Sequence, residues 1–327
     1  MPADFDEPAI QLAVAWGYAA ALATSVLWTA TSVFFNEAAR RIGATLVNGL
    51  RILVAVVLLA VTHRLLAGQW VPPAQVGQVA FLVLSGWIGL NLGDQALFMA
   101  FERVGPRTAM LMMTTGAPLF AALLGWLVLG ETIPAAGWLG VAAMLAGVAW
   151  VVLGRQVGDT RSAPRPQFGA GIALGLLAAL CQAGGFLLSK QGIGHGWLPD
   201  QQHLQPQAAT LLRMAGAAVL AVPIVAWRLR RASRAPAGGP TPAPGHAFYA
   251  GIGLTFCGSL VGPYLGVWMS LEAAHRIPLG LAQTLASLPP VLVLPIAAIL
   301  YRERVGVRAV CGALLAVAGA AWLMLTP

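Results

Sequence analysis

The sequence predicts an all-α membrane protein of ten transmembrane helices, arranged as two inverted five-helix repeats. Three observations carry this: the composition, the number and length of apolar runs, and the similarity of the two halves. Of 327 residues, 58% are hydrophobic and 9% charged, with a mean hydropathy of +0.78. A soluble domain carries about 25% charged residues, so the chain is built for lipid. The net charge of +8 does not mark a nucleic-acid binder, because the arginines are scattered through short connections as orientation signals are. Cys181, Cys257 and Cys311 lie in apolar runs, odd in number and without ligand spacing, which argues against a disulfide or zinc framework. The acidic start MPADFDEPAIQ lacks the basic region of a signal peptide.

A bilayer core needs about 20 apolar residues per helix. Ten segments supply them: 13–35, 45–63, 78–101, 106–129, 134–154, 168–189, 207–227, 248–272, 277–300 and 305–325. Gly and Pro recur inside them, which transmembrane helices tolerate where neighbours satisfy the freed backbone. The polar, Pro-rich stretch RQVGDTRSAPRPQ reads as a linker, dividing the chain into 1–155, a linker 156–167, and 168–327. Two further connections are long, GIGHGWLPDQQHLQPQ and RLRRASRAPAGGPTPAPGH.

The halves repeat. Residues 125–153 parallel 297–325, aligning Glu131 with Glu303, Gly140 with Gly312, Gly147 with Gly319 and Trp150 with Trp322. MAFERVGPRTA parallels MSLEAAHRIPLG, Pro118 falls opposite Pro289 and Pro290, and Arg51 falls opposite Arg213. Because five is odd, the second half must cross the membrane in the opposite sense, the inverted repeat common in secondary transporters.

This pattern, with a Glu-containing fourth-helix end in LGETIP followed by a Gly-rich fifth helix, resembles the EamA module of the drug/metabolite transporter (DMT) superfamily, twice over. The resemblance implies a carrier whose helices one to four and six to nine line a central cavity, with five and ten outside. It also implies export of small metabolites such as amino acids. The second repeat departs from the motif, with YRERVG in place of LGETIP. Orientation follows from positive charge: fourteen arginines lie in connections one–two, three–four, five–six, seven–eight and nine–ten, against Arg64, Lys190 and Arg276 on the other side. The positive-inside rule puts the rich side in the cytoplasm and both termini outside. The family resemblance implies both termini inside, and the charge count is followed here. The expected location is the cell (inner) membrane.

Asp94 is the residue most at odds with its surroundings, a carboxylate near mid-membrane depth in GLNLGDQALFMAF. An ionised group there costs at least ~2.5 kcal/mol, so it should face the interior and have a partner. Arg51 lies at similar depth on the second segment and is the expected partner; Asn91, Gln95 and Phe98 share the face. One reading is a pair that only holds helices together. The other is a site for a substrate ammonium or an exchanging proton.

Arg213 has no carboxylate opposite it, since the positions aligned with Asp94 fall around Tyr264 to Gly266. It snorkels, pairs with Glu272, or binds a substrate anion. Trp28, Trp87, Gln182, Tyr264, Trp268 and Gln283 are further cavity candidates, while Trp16, Trp70, Trp138, Trp150, Trp197 and Trp227 suit interfacial belts. Pro118, Pro289 and Pro290 are candidate hinges or static kinks.

Enzyme chemistry fails on the same residues. NLGD approaches the GxGD run of intramembrane aspartyl proteases, but a second membrane aspartate is lacking, and all five histidines fall at helix ends or in loops. With no Walker motif, energy must come from gradients. The expected function is a secondary transporter of small organic metabolites working by alternating access, its partners being the bilayer, the substrate and, in the coupled reading, protons; no cofactor, metal or nucleic acid is expected. A carrier of amphiphilic or lipid-linked molecules and a non-transporting scaffold or sensor are the alternatives.

Overall fold

The computed structural model describes residues 7–154, 168–197, 203–233, 246–300 and 306–325. The expected linker 156–167 and Glu303 lie outside the described residues. Ten helices are long and apolar enough to cross a membrane, and no strand occurs among the described residues. They are α1 (Glu7–Ile42), α2 (Ala44–Ala67), α3 (Val76–Val104), α4 (Pro106–Leu124, continued as Gly125–Leu129), α5 (Ala135–Gly154), α6 (Phe168–Ile193), α7 (Pro206–Ser233), α8 (His246–Arg276), α9 (Leu279–Ala286 and Pro289–Leu300) and α10 (Val307–Leu325). Several run past the expected limits, α1 furthest, because polar helix formers such as NEAARR extend a helix beyond its apolar run.

Two connections shrink to one residue each. Gly43 (φ 81°) links α1 to α2, and Gly105 (φ 83°) links α3 to α4; both occupy the left-handed region that only glycine enters without strain. The six tryptophans expected at the interfaces are all exposed, as a belt residue must be.

Each repeat's first helix packs into the other repeat. α1 lies against α8 and α9, α6 against α3 and α4, and α2 against α7. The GVAAMLAG and GALLAVAGA stripes of α5 and α10 face each other, so they form an internal contact. A Cβ at Gly147 would lie 2.4 Å from Ala316 N and 2.5 Å from Gly312 O, and one at Gly319 would lie 2.5 Å from Met144 N. Backbones meeting that closely are what small residues permit between membrane helices. Trp322 Nε1 closes the pair by donating to Ala136 O at 2.8 Å.

Among the described residues three helices carry π-helical stretches: Gly86–Gly93 in α3, Gly125–Leu129 in α4 and Leu260–Gly266 in α8. In α3 the run GWIGLNLG is glycine-rich, and in α8 Pro263 removes a donor from the hydrogen-bond ladder, so both helices are locally weak. The α3 and α8 stretches occupy like places in the two repeats, and single π-turns of this kind frequently occur at functional sites.

The two faces differ in closure. On the face carrying the α2–α3, α4–α5, α6–α7 and α8–α9 connections, Ser189, Lys190, Gln191, Ile193, Leu204, Ile277 and Leu279 are all buried. On the arginine-rich face, residues 26–37 of α1 and 108–116 of α4 are mostly half-buried or exposed.

Candidate functional site

Asp94 is the first α-helical residue after the π-stretch of α3. Arg51, two turns into α2, reaches it with Nη2 2.7 Å from Asp94 Oδ2. The two side chains retain 16% and 27% of their surface respectively, so the pair is neither sealed nor freely solvated. That is the condition under which an ion pair in a membrane protein is affordable and can still exchange partners.

The neighbours of Asp94 divide by use. Asn91 Nδ2 donates to Gly86 O at 3.3 Å and to Ala217 O at 3.2 Å, tying the π-stretch to α7. Trp87 Nε1 donates to Gly216 O at 2.9 Å on the same helix. Gln95 lies on the outer strip of α3 with exposed Leu92 and Phe98.

Arg213 of α7 is 1% exposed. Its guanidinium carbon sits 4.8 Å from the centre of the Phe186 ring, a cation–π contact. Its Nη2 lies where a Cβ on Gly89 would be, 2.9 Å away, so the glycine of the π-stretch makes the space for it. Nε and Nη1 have no hydrogen-bond partner, and Asp94 lies within Coulombic range. Glu272, an expected alternative partner, is taken by Arg276 one turn further along α8. Snorkelling is excluded by the burial.

In the second repeat, Tyr264 ends near the place that Asp94 holds in the first. Its hydroxyl shares a 2.7 Å hydrogen bond with Thr62 Oγ1 of α2, and its ring stands edge-on to Trp268, 6.1 Å between centroids. Trp268 Nε1 donates to Glu272 Oε1 at 3.3 Å. Trp28 is half-buried, with Nε1 close to where a Cβ on Gly266 would be (3.5 Å). Gln182 is half-buried; Gln283 is buried, with Nε2 lacking a partner.

The prolines behave differently in the two repeats. α9 is interrupted between Ala286 and Pro289, with Ser25 Oγ of α1 donating to Leu285 O at 2.6 Å beside the break. Pro118 is buried inside an uninterrupted α-helix, and α4 changes its winding only at Gly125. α4 thus stays helical through Pro118, whereas α9 is broken just before Pro289.

The closed face holds a second polar group that sequence reasoning missed. Glu131 of the LGETIP motif pairs with Lys190, the single lysine of the chain, at 2.5 Å. Glu131 Oε2 accepts from Leu279 N at 2.7 Å, and Lys190 Nζ donates to Ile277 O at 2.9 Å. One ion pair thus binds the end of α4, the end of α6 and the α8–α9 connection. Gly125 leaves room for it, since a Cβ there would fall 2.6 Å from Glu131 Oε2. The signal available in the sequence was the solitary lysine inside the last apolar turn of α6. His195, His203 and His275 also converge on this face, though each looked like an isolated loop or helix-end residue in sequence.

Comparison with known proteins agrees with this architecture. No curated protein sequence matches the chain. A solved crystal structure described only as that of a protein superposes with a TM-score of 0.68 over 94% of this chain and 96% of its own, at 18% identity, and so speaks to the fold alone. The profile described as the EamA-like transporter family matches twice, over residues 15–153 and 169–325. Two matches, one to each five-helix half, with ten membrane helices and the half-buried LGETIP glutamate in place, mean that the chain belongs to the EamA-like transporter family.

Proposed function

We propose that this DMT-type transporter carries a small organic metabolite with both a positive and a negative group, of which an amino acid is the simplest example, by alternating access around Arg51 and Asp94. The observation that carries the reading is the 2.7 Å Arg51–Asp94 pair, whose acid keeps about a quarter of its surface accessible, with two nitrogens of the nearby Arg213 guanidinium lacking a hydrogen-bond partner. A substrate ammonium would displace Arg51 from Asp94. The substrate carboxylate would take the N–H groups of Arg51 and, once the helices shift, those of Arg213. Asp94 could instead exchange a proton for substrate, and the two roles compete for one side chain.

In this reading the repeats 1–155 and 168–327 rock against one another, hinging at the α9 interruption with its Pro289–Pro290 pair and at the Pro118 region of α4. The described conformation is closed at the Glu131–Lys190 latch and looser at the arginine-rich face. The charge count assigns that face to the cytoplasm, which makes the conformation inward-facing. Export is favoured by analogy with the family.

The test is uptake and counterflow in proteoliposomes against pooled amino acids, organic acids, amines and amphiphiles, with a pH gradient imposed or collapsed. The expected result is movement of a zwitterionic pool, lost in Asp94→Asn. Movement of amphiphiles alone would instead favour a sideways opening along the exposed Leu92, Gln95 and Phe98 strip of α3. No movement of any pool would reject carriage.

A further inference from the structure

We propose that His195, His203 and His275 form a binding site for a first-row transition-metal cation of the Zn²⁺ class on the closed face. Three of the five histidines in the chain meet here, although they come from the end of the α6–α7 connection nearest α6, the start of α7's approach, and the last turn of α8. Their ring centroids are 4.7, 5.0 and 5.5 Å apart, and one nitrogen from each lies within 4.8 Å of the others. Zn–N bonds of about 2.0–2.1 Å in a tetrahedral shell place ligand nitrogens about 3.3 Å apart. His195 Nε2 and His275 Nδ1 are now 2.8 Å apart. Small ring rotations therefore convert an imidazole cluster into three ligands of one ion.

Local charge permits it. The two nearest cations are already compensated, Lys190 by Glu131 and Arg276 by Glu272. A metal binds the neutral form of each imidazole. Three neutral imidazoles suit zinc, copper or nickel over magnesium or calcium. They leave a fourth position for water or an anion. His203 also lines a cavity of about 300 Å³ with His63, Gln75 and Gln78, which gives an ion and its water a way in. His63 Nε2, buried and without a partner, adds an acceptor or donor to that cavity.

The position gives the site a consequence. His195 N donates to Lys190 O at 3.1 Å, so the first ligand is tied directly to the latch lysine. A bound ion would staple the α6–α7 connection to the end of α8 and hold the closed face shut.

The experiment uses tag-free, full-length protein in detergent, titrated with ZnCl2 against a chelating indicator and with Co²⁺ followed by visible absorption. The expected result is one equivalent of Zn²⁺ and intense visible cobalt bands of a four-coordinate nitrogen site. His203→Ala, which alters an exposed side chain, should weaken binding at least ten-fold with an unchanged melting temperature in the absence of metal. His246→Ala, far along the chain at the start of α8, should bind as the wild type does. No stoichiometric binding to the wild type, or wild-type affinity retained in the triple variant His195→Ala/His203→Ala/His275→Ala, overturns the assignment.

Discussion

Asp94 and Arg51 make opposite demands on stability and on transport, which a double-mutant cycle separates. At ~4 Å and an effective dielectric of ~20, two unit charges attract by ~4 kcal/mol. Removing one partner of a buried pair costs about 3–5 kcal/mol, because the survivor is left uncompensated. With 16% and 27% of the side chains accessible, the lower end applies, about 3 kcal/mol for Asp94→Asn or Arg51→Gln alone. The double variant replaces the ion pair by two amides that can hydrogen-bond in the same gap. It should lose much less than the sum of the singles, giving a coupling of about 3 kcal/mol. Unfolding by SDS titration in bicelles of fixed lipid content measures these values, and counterflow in proteoliposomes measures function on the same preparations. All three variants should transport at less than a tenth of the wild-type rate, the double variant included. Additive single losses would refute the pairing, and a double variant that transports normally would refute the site.

Four further outcomes follow from particular contacts. Gly147→Ala, whose Cβ would press on the backbone of α10 at 2.4 Å, should destabilise the protein by about 1–3 kcal/mol in a thermal melt, whereas Gly140→Ala meets only the side chains of Leu323 and Trp322 and should cost less. Gly89→Ala should displace the Arg213 guanidinium and cut transport, while Gly184→Ala, with nothing within 4 Å of its Cβ, should leave transport unchanged in the same counterflow assay. Ser25→Ala leaves Leu285 O without its donor at the α9 break and should lower stability by about 1–3 kcal/mol by SDS titration. Glu131→Gln should weaken the latch by about 3 kcal/mol, which a cysteine placed at Leu279 in a chain freed of its native cysteines would report as faster thiol labelling.

Much of the fold was legible because lipid imposes strong rules: every helix needs a long apolar run, and repetition fixes how many there are. Small residues along GVAAMLAG and GALLAVAGA marked close-packing surfaces, without saying that α5 and α10 use them on each other. Arg51 and Asp94 could be paired from depth alone, since helix length converts directly into position across the bilayer. Side-chain fates at the same depth could not be read in this way. Asn91 and Trp87 proved to be bonded to α7 backbone, because the π-stretch turns them towards that helix, and no hydropathy pattern records a local change of winding. Nor does a proline by itself say that the helix stays unbroken at Pro118 in α4 yet breaks before Pro289 in α9. The Glu131–Lys190 latch joins residues 59 positions apart and the histidine cluster residues up to 80 apart, at or near helix ends, where the apolar pattern stops and the connections alone decide what meets.

Alternation between two faces is tested most directly by paired distance measurements with spin labels on a cysteine-free background. One pair would span the closed face from Leu129 to Trp197, and the other the arginine-rich face from the exposed Arg40 to Gly169, where a side chain meets open space. Breaking the latch with Glu131→Gln should lengthen the first distance and shorten the second in the same molecules. Two distances that stay fixed, or that lengthen together, would mean that the repeats do not rock and that the proposed carrier mechanism is wrong.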